Sequence, residues 1–112
     1  MKQDYATLAG QLLTWPSKNT LAGVLLAAGL RIKVGRYSIR IEECENFAFQ
    51  QLDGDRGDPC IVADAETVEK MIVDAHLVSR ALGDAGIKHR FEVYDTGDDL
   101  AAYLHHQWPL VS

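Results

Sequence analysis

The segment LRIKVGRYSIRI, residues 30–41, constrains the fold of this chain more than any other. Leu30, Ile32 and Val34 alternate with Arg31 and Lys33. After Gly35-Arg36, Tyr37, Ile39 and Ile41 alternate with Ser38 and Arg40. A period of two in both runs, with glycine first in the joint, predicts a β-hairpin closed by a two-residue type II′ turn. That register sets Val34 opposite Tyr37, Lys33 opposite Ser38, Ile32 opposite Ile39 and Arg31 opposite Arg40. Two arginines then face each other beside Lys33, an arrangement that costs roughly a few tenths to 1 kcal/mol.

The other elements follow from periodicity and punctuation. Residues 46–52 read as a third strand around Phe47 and Phe49, and residues 59–62 begin a fourth. Gly54, Gly57 and Pro59 make the intervening LDGDRGDPC a turn. It does not fit a calcium loop of the EF-hand type. Counted from Asp53, Gly57 takes a ligand position, Asp58 replaces the required glycine and Asp64 replaces the final glutamate. Its Arg56-Gly57-Asp58 tripeptide is too short to mark an adhesion protein.

Asp64 is expected to cap a long helix over 65–85, with Val68, Met71, Ile72, Ala75, Val78 and Leu82 as its apolar stripe. Glu66 and Lys70 form an i,i+4 pair on its wet side. Residues 88–94 read as a fifth strand, Phe91 and Val93 facing one way and Lys88, Arg90 and Glu92 the other. A first helix over 4–14 carries Tyr5, Leu8 and Leu12 and is closed by Trp15-Pro16. A second, over 20–28, is apolar nearly all round, so the rest of the domain or a partner must cover it. A last helix starts at Thr96 or Asp98 and carries Leu100, Tyr103, Leu104 and Trp108. The order ααββββαβα describes one α+β domain spanning 1–112. A mainly antiparallel sheet of about five strands packs against the long amphipathic helix in two or three layers.

Charge and composition remove several functions. A net charge of −5 opposes whole-molecule attraction to nucleic acid or to an anionic membrane. The polar hairpin positions offer no aromatic platforms for RNA bases. The apolar run at 21–30 is shorter than the roughly 20 residues a membrane span requires. It also sits late for a signal core and follows Asp4, so a cytoplasmic protein without membrane association is expected. Cys44 and Cys60 do not amount to a disulfide framework, which fits a reducing compartment and leaves their redox state open.

No nucleophile elbow, phosphate-binding loop or dinucleotide fingerprint occurs, so no catalytic residue and no cofactor is assigned. No metal is expected either. His105 and His106 would diverge by about 100° on a helix. Neither C-x-x-C nor H-x-x-x-H spacing links Cys44, Cys60 and the histidines. His76 lies beside the long helix's apolar stripe and reads as a partly buried packing residue. Arg31, Lys33 and Arg40 are the candidate anion- or partner-binding residues, joined by Lys88 and Arg90 on the same nominal face. The plainer reading is that Glu42, Glu43, Glu45 and Glu92 neutralise them. The function expected is a non-catalytic protein–protein interaction module, of partner-binding, inhibitor, immunity or self-associating type. The alternative is a small anionic-ligand domain or modest enzyme built on the Arg31/Lys33/Arg40 face.

Overall fold

The computed structural model describes residues 5–52 and 58–108. Its elements are β1 (Ala6–Leu12), α1 (Lys18–Ala27), β2 (Ile32–Val34), β3 (Ile39–Ile41), β4 (Asn46–Gln50), β5 (Cys60–Ala65), α2 (Val68–Asp84), β6 (His89–Tyr94) and β7 (Leu100–His106). The strands form one seven-stranded sheet in the order β2-β3-β4-β5-β1-β6-β7, with every neighbouring pair antiparallel. The α+β class and the antiparallel sheet agree with the sequence. The count does not, because both terminal segments expected as helices are strands.

The reason lies in ambiguous spacing. Leu8 and Leu12 are four apart, as on a helix, but Ala6, Leu8 and Leu12 also share one parity. All three are buried, whereas Ala9 and Gln11 are exposed. β1 is paired on both sides, with β5 and β6, and this long-range pairing overrides the local helical pattern. β7 repeats the case, with Ala102, Leu104 and His106 less exposed than Tyr103 and His105.

The hairpin is present, but its register differs. Ile32 pairs with Ile41, Lys33 with Arg40 and Val34 with Ile39, so residues 35–38 form a four-residue loop. The loop is closed by the Gly35 N–H donating to the Ser38 carbonyl at 2.8 Å. Moving a register by two residues keeps each side chain on its own face, so alternation alone cannot separate the two pairings. Tyr37, expected opposite Val34 in the strand, sits half-buried in the loop, with the Arg36 guanidinium 5.3 Å from its ring centre.

Leu8, Ala63, Phe47 and Val93 occupy one row of the sheet, Ile39, Phe49 and Ile61 another, and all are buried on the same face. Leu21 and Leu25 of α1 and Met71, Ala75, Val78 and Leu82 of α2 complete one core with them. Phe47 lies 5.8 Å from Phe49 and 5.7 Å from Phe91, in tilted and edge-on contacts that add to simple burial. The helices thus coat one face of the sheet.

The helix limits follow from their caps. Ser17 accepts from the Thr20 N–H and starts α1. Thr67 accepts from the Lys70 N–H and starts α2, so Asp64, expected as that cap, belongs to β5 instead. Lys70 pairs with Asp74 at 2.8 Å rather than with Glu66. Both helices end in the same motif. Leu30 N–H donates to Leu25 and Gly29 N–H to Leu26; Ile87 N–H donates to Leu82 and Gly86 N–H to Gly83. Gly29 (φ +86°) and Gly86 (φ +75°) supply the left-handed residue this ending requires. Among the described residues no helix is long and apolar enough to cross a membrane.

Candidate functional site

The basic side chains are divided by the sheet order. Lys33 and Arg40 are directly opposite on β2 and β3, while Arg90 lies on β6 with Lys88 just before it. Four strand steps separate β3 from β6, about 19 Å at ~4.8 Å each. Arg31 does not face Arg40. Its N–H donates to the Glu43 carboxylate at 2.9 Å and its Nε lies 3.4 Å away. The Arg31 N–H holds the Glu43 carboxyl below its ordinary pKa.

The other two arginines have internal partners as well. Arg40 Nη1 donates to Asn46 Oδ1 at 2.7 Å, and Asn46 Nδ2 donates to Asp64 Oδ2 at 3.0 Å. Arg90 donates to Gln11 Oε1 through Nε at 3.0 Å and Nη2 at 2.7 Å, and stands 4.8 Å from the Trp108 ring centre. Lys88 is exposed. A single basic platform does not form, and each arginine in the candidate set is already engaged.

The helical side presents a different surface. Between Lys18 and Ala28, α1 carries no charged side chain, yet only Leu21 and Leu25 are buried. Leu26 is 57% exposed, and Gly23, Ala27 and Ala28 are also exposed. The two helices leave between them a cavity of about 520 Å³ lined by Thr20, Gly23, Val24 and Ala27 of α1 with its cap Ala28, and by Ala81 and Asp84 of α2 with its cap Ala85. Apolar atoms dominate this lining. Asp84 is its one charged residue among those described. Around the same end of α2, a second cavity of about 320 Å³ is lined by Leu13, Pro16, Gly86, Ile87 and Lys88. The sequence announced that α1 needs covering; the structure shows that this chain covers only one side of it.

Buried polar groups are used internally. Ser79 Oγ lies 2.6 Å from His89 Nε2, and His89 Nδ1 lies 2.8 Å from the Ile87 carbonyl. The carbonyl requires a proton on Nδ1, so Nε2 accepts from the Ser79 hydroxyl. This is the pairing of a nucleophile with a base, but His89 is wholly buried, between the rings of Phe91 at 5.0 Å and His106 at 6.0 Å. Both nitrogens are spent on the fold. His76, expected to be partly buried, is exposed.

Asp74, which the sequence did not single out, is 1% exposed. It accepts from the Glu45 N–H at 2.9 Å and from Lys70 Nζ at 2.8 Å. Cys44 and Cys60 are free thiols. Burial pushes the Cys44 thiol up to about 12, which removes it as a nucleophile. Cys60 is half-buried and lines a groove of about 460 Å³ with Gln11, Trp15 and Trp108, where β1 and β5 part beyond the Leu8–Ala63 pair. No group of three or more histidine, cysteine or acidic side chains placed to hold a metal occurs among the described residues. Residues 53–57, expected as a turn, and those after Trp108 lie outside the described residues.

Comparison with protein families, with curated proteins and with solved structures returns no match.

Proposed function

We propose that this chain is a non-catalytic protein-binding module that receives an apolar element of a partner between α1 and the C-terminal end of α2. The observation that carries this reading is the uncovered side of α1. A helix apolar all round is stable only where it is surrounded, and here half of it meets solvent. The small residues along the cavity let a partner helix approach closely, in the helix-in-groove mode. Asp84 at its lining favours a partner whose apolar stripe ends in a lysine or arginine.

The test is capture from lysate with three baits: wild type, Ala27→Lys, which places a charge in the cavity, and Val73→Lys. Val73 is 60% exposed on α2 and serves as the control for adding a lysine to exposed apolar surface. The reading predicts a specific protein retained by wild type and Val73→Lys and lost with Ala27→Lys. Equal recovery on all three baits would contradict it.

A further inference from the structure

The two edges of the sheet are built differently. β2 is three residues long, carries Lys33 and lies against α1. The loop that follows it is held by Lys18 Nζ donating to the Gly35 and Arg36 carbonyls at 3.0 and 2.8 Å. Short length and a lysine in the strand are devices that keep an edge from pairing with another chain. β7 has neither. It is seven residues long, LAAYLHH, with no lysine, arginine, carboxylate or proline. An irregularity sits at its start, opposite Val93 and Tyr94, and the pairs from Ala102 to His106 are regular.

We infer that two copies of this chain pair antiparallel through β7, about a two-fold axis at Tyr103. The outer row of β7 amides and carbonyls has no strand partner among the described residues, and a second β7 offers the same row in reverse. A strand meeting its own copy sets the residue on the axis against itself, so a charge there would repel. β7 puts Tyr103 at that point. Ala102 and Leu104, partly buried at the open margin of the core, meet each other's copies on the helix side and lose their remaining exposure. Pairing of β7 with the β2 edge of another copy would propagate into a filament. The blunted β2 blocks it, so the self-pairing closes at two chains. This surface is separate from the α1 cavity, and either stands without the other.

The test is the mass of the purified full chain by size-exclusion chromatography with light scattering, from low micromolar to several hundred micromolar. The expected result is a concentration-dependent rise to twice 12.4 kDa for wild type. Tyr103→Lys and Tyr103→Glu should each stay at the single-chain mass, and an equimolar mixture should regain the doubled mass. Tyr103 is 45% exposed and lies across from Glu92, so Tyr103→Lys gains a neighbour of opposite charge within its own sheet and keeps the native circular dichroism spectrum. Tyr103→Cys gives an independent reading. Opposed residues of an antiparallel pair have Cα atoms roughly 4.5–5.5 Å apart, within disulfide reach, so oxidation should link the two copies at that position. Wild type at single-chain mass throughout would overturn the inference. So would charged variants that pair as wild type does, or mass growing without a limit at two.

Discussion

Asp74 is a carboxylate with 1% exposure whose oxygens are divided between the Glu45 N–H and the Lys70 ammonium. Lys70 is 40% exposed and regains water if the carboxylate is removed, whereas the part-buried Glu45 N–H loses its acceptor. Asp74→Ala should therefore cost about 2 kcal/mol, most of it from the stranded amide, and Asp74→Asn markedly less because an acceptor remains. Urea unfolding of the two variants checks the order. His89 adds a pH dependence. Burial lowers its pKa below the ordinary 6.5, with the nearby His106 and His105 charges adding to the effect and the Ile87 carbonyl opposing it. The unfolded chain then binds the proton more readily, so this residue's contribution is complete above about pH 6.5 and is lost as the pH falls below it. Wild type should lose unfolding free energy from about pH 7 to pH 5, and His89→Gln should show a shallower slope. Parallel profiles would remove His89 from the account.

At the scale of elements, Gly10 of β1 sits under side chains from both β5 and β6. A Cβ at Gly10 would lie 2.8 Å from Ile61 Cδ1 and 2.9 Å from Phe91 Cδ1. Gly10→Ala should destabilise by roughly 1–3 kcal/mol, and Ile61→Val, which removes that Cδ1, should restore part of the loss. A double-mutant cycle measures the coupling; additive effects would contradict the contact. Gly10 also shows why β1 was hard to read. Its place in the alternation is empty because neighbouring side chains fill it, so the period of two in Ala6, Leu8 and Leu12 is interrupted and the four-residue spacing of Leu8 and Leu12 stands out. β7 was obscured by Ala102 and by the irregularity at its start. The hairpin, β4, β5, β6 and both true helices were legible because large apolar residues and Ser, Gly or Pro punctuation mark them. The basic cluster was legible as composition only. Its division between β2–β3 and β6 follows from strand order, which no local pattern encodes.

The whole molecule has a seven-stranded sheet with helices over one face and one of those helices covered on one side only. Self-repulsion from a net charge of −5 opposes contact between copies in general, and least so at β7 and at the part of α1 after Lys18, which carry no lysine, arginine or carboxylate. The apolar character of α1 was plain in the sequence, and what it lacked was the knowledge that the chain would leave Leu26 in water. The equilibrium unfolding of Leu26→Lys tests that exposure. If the outer side of α1 serves a partner and not the fold, the lysine leaves the unfolding free energy of the isolated chain within about 0.5 kcal/mol of wild type. A loss of roughly 2 kcal/mol or more would show that Leu26 belongs to this chain's own core, and that α1 has no side to spare for a partner.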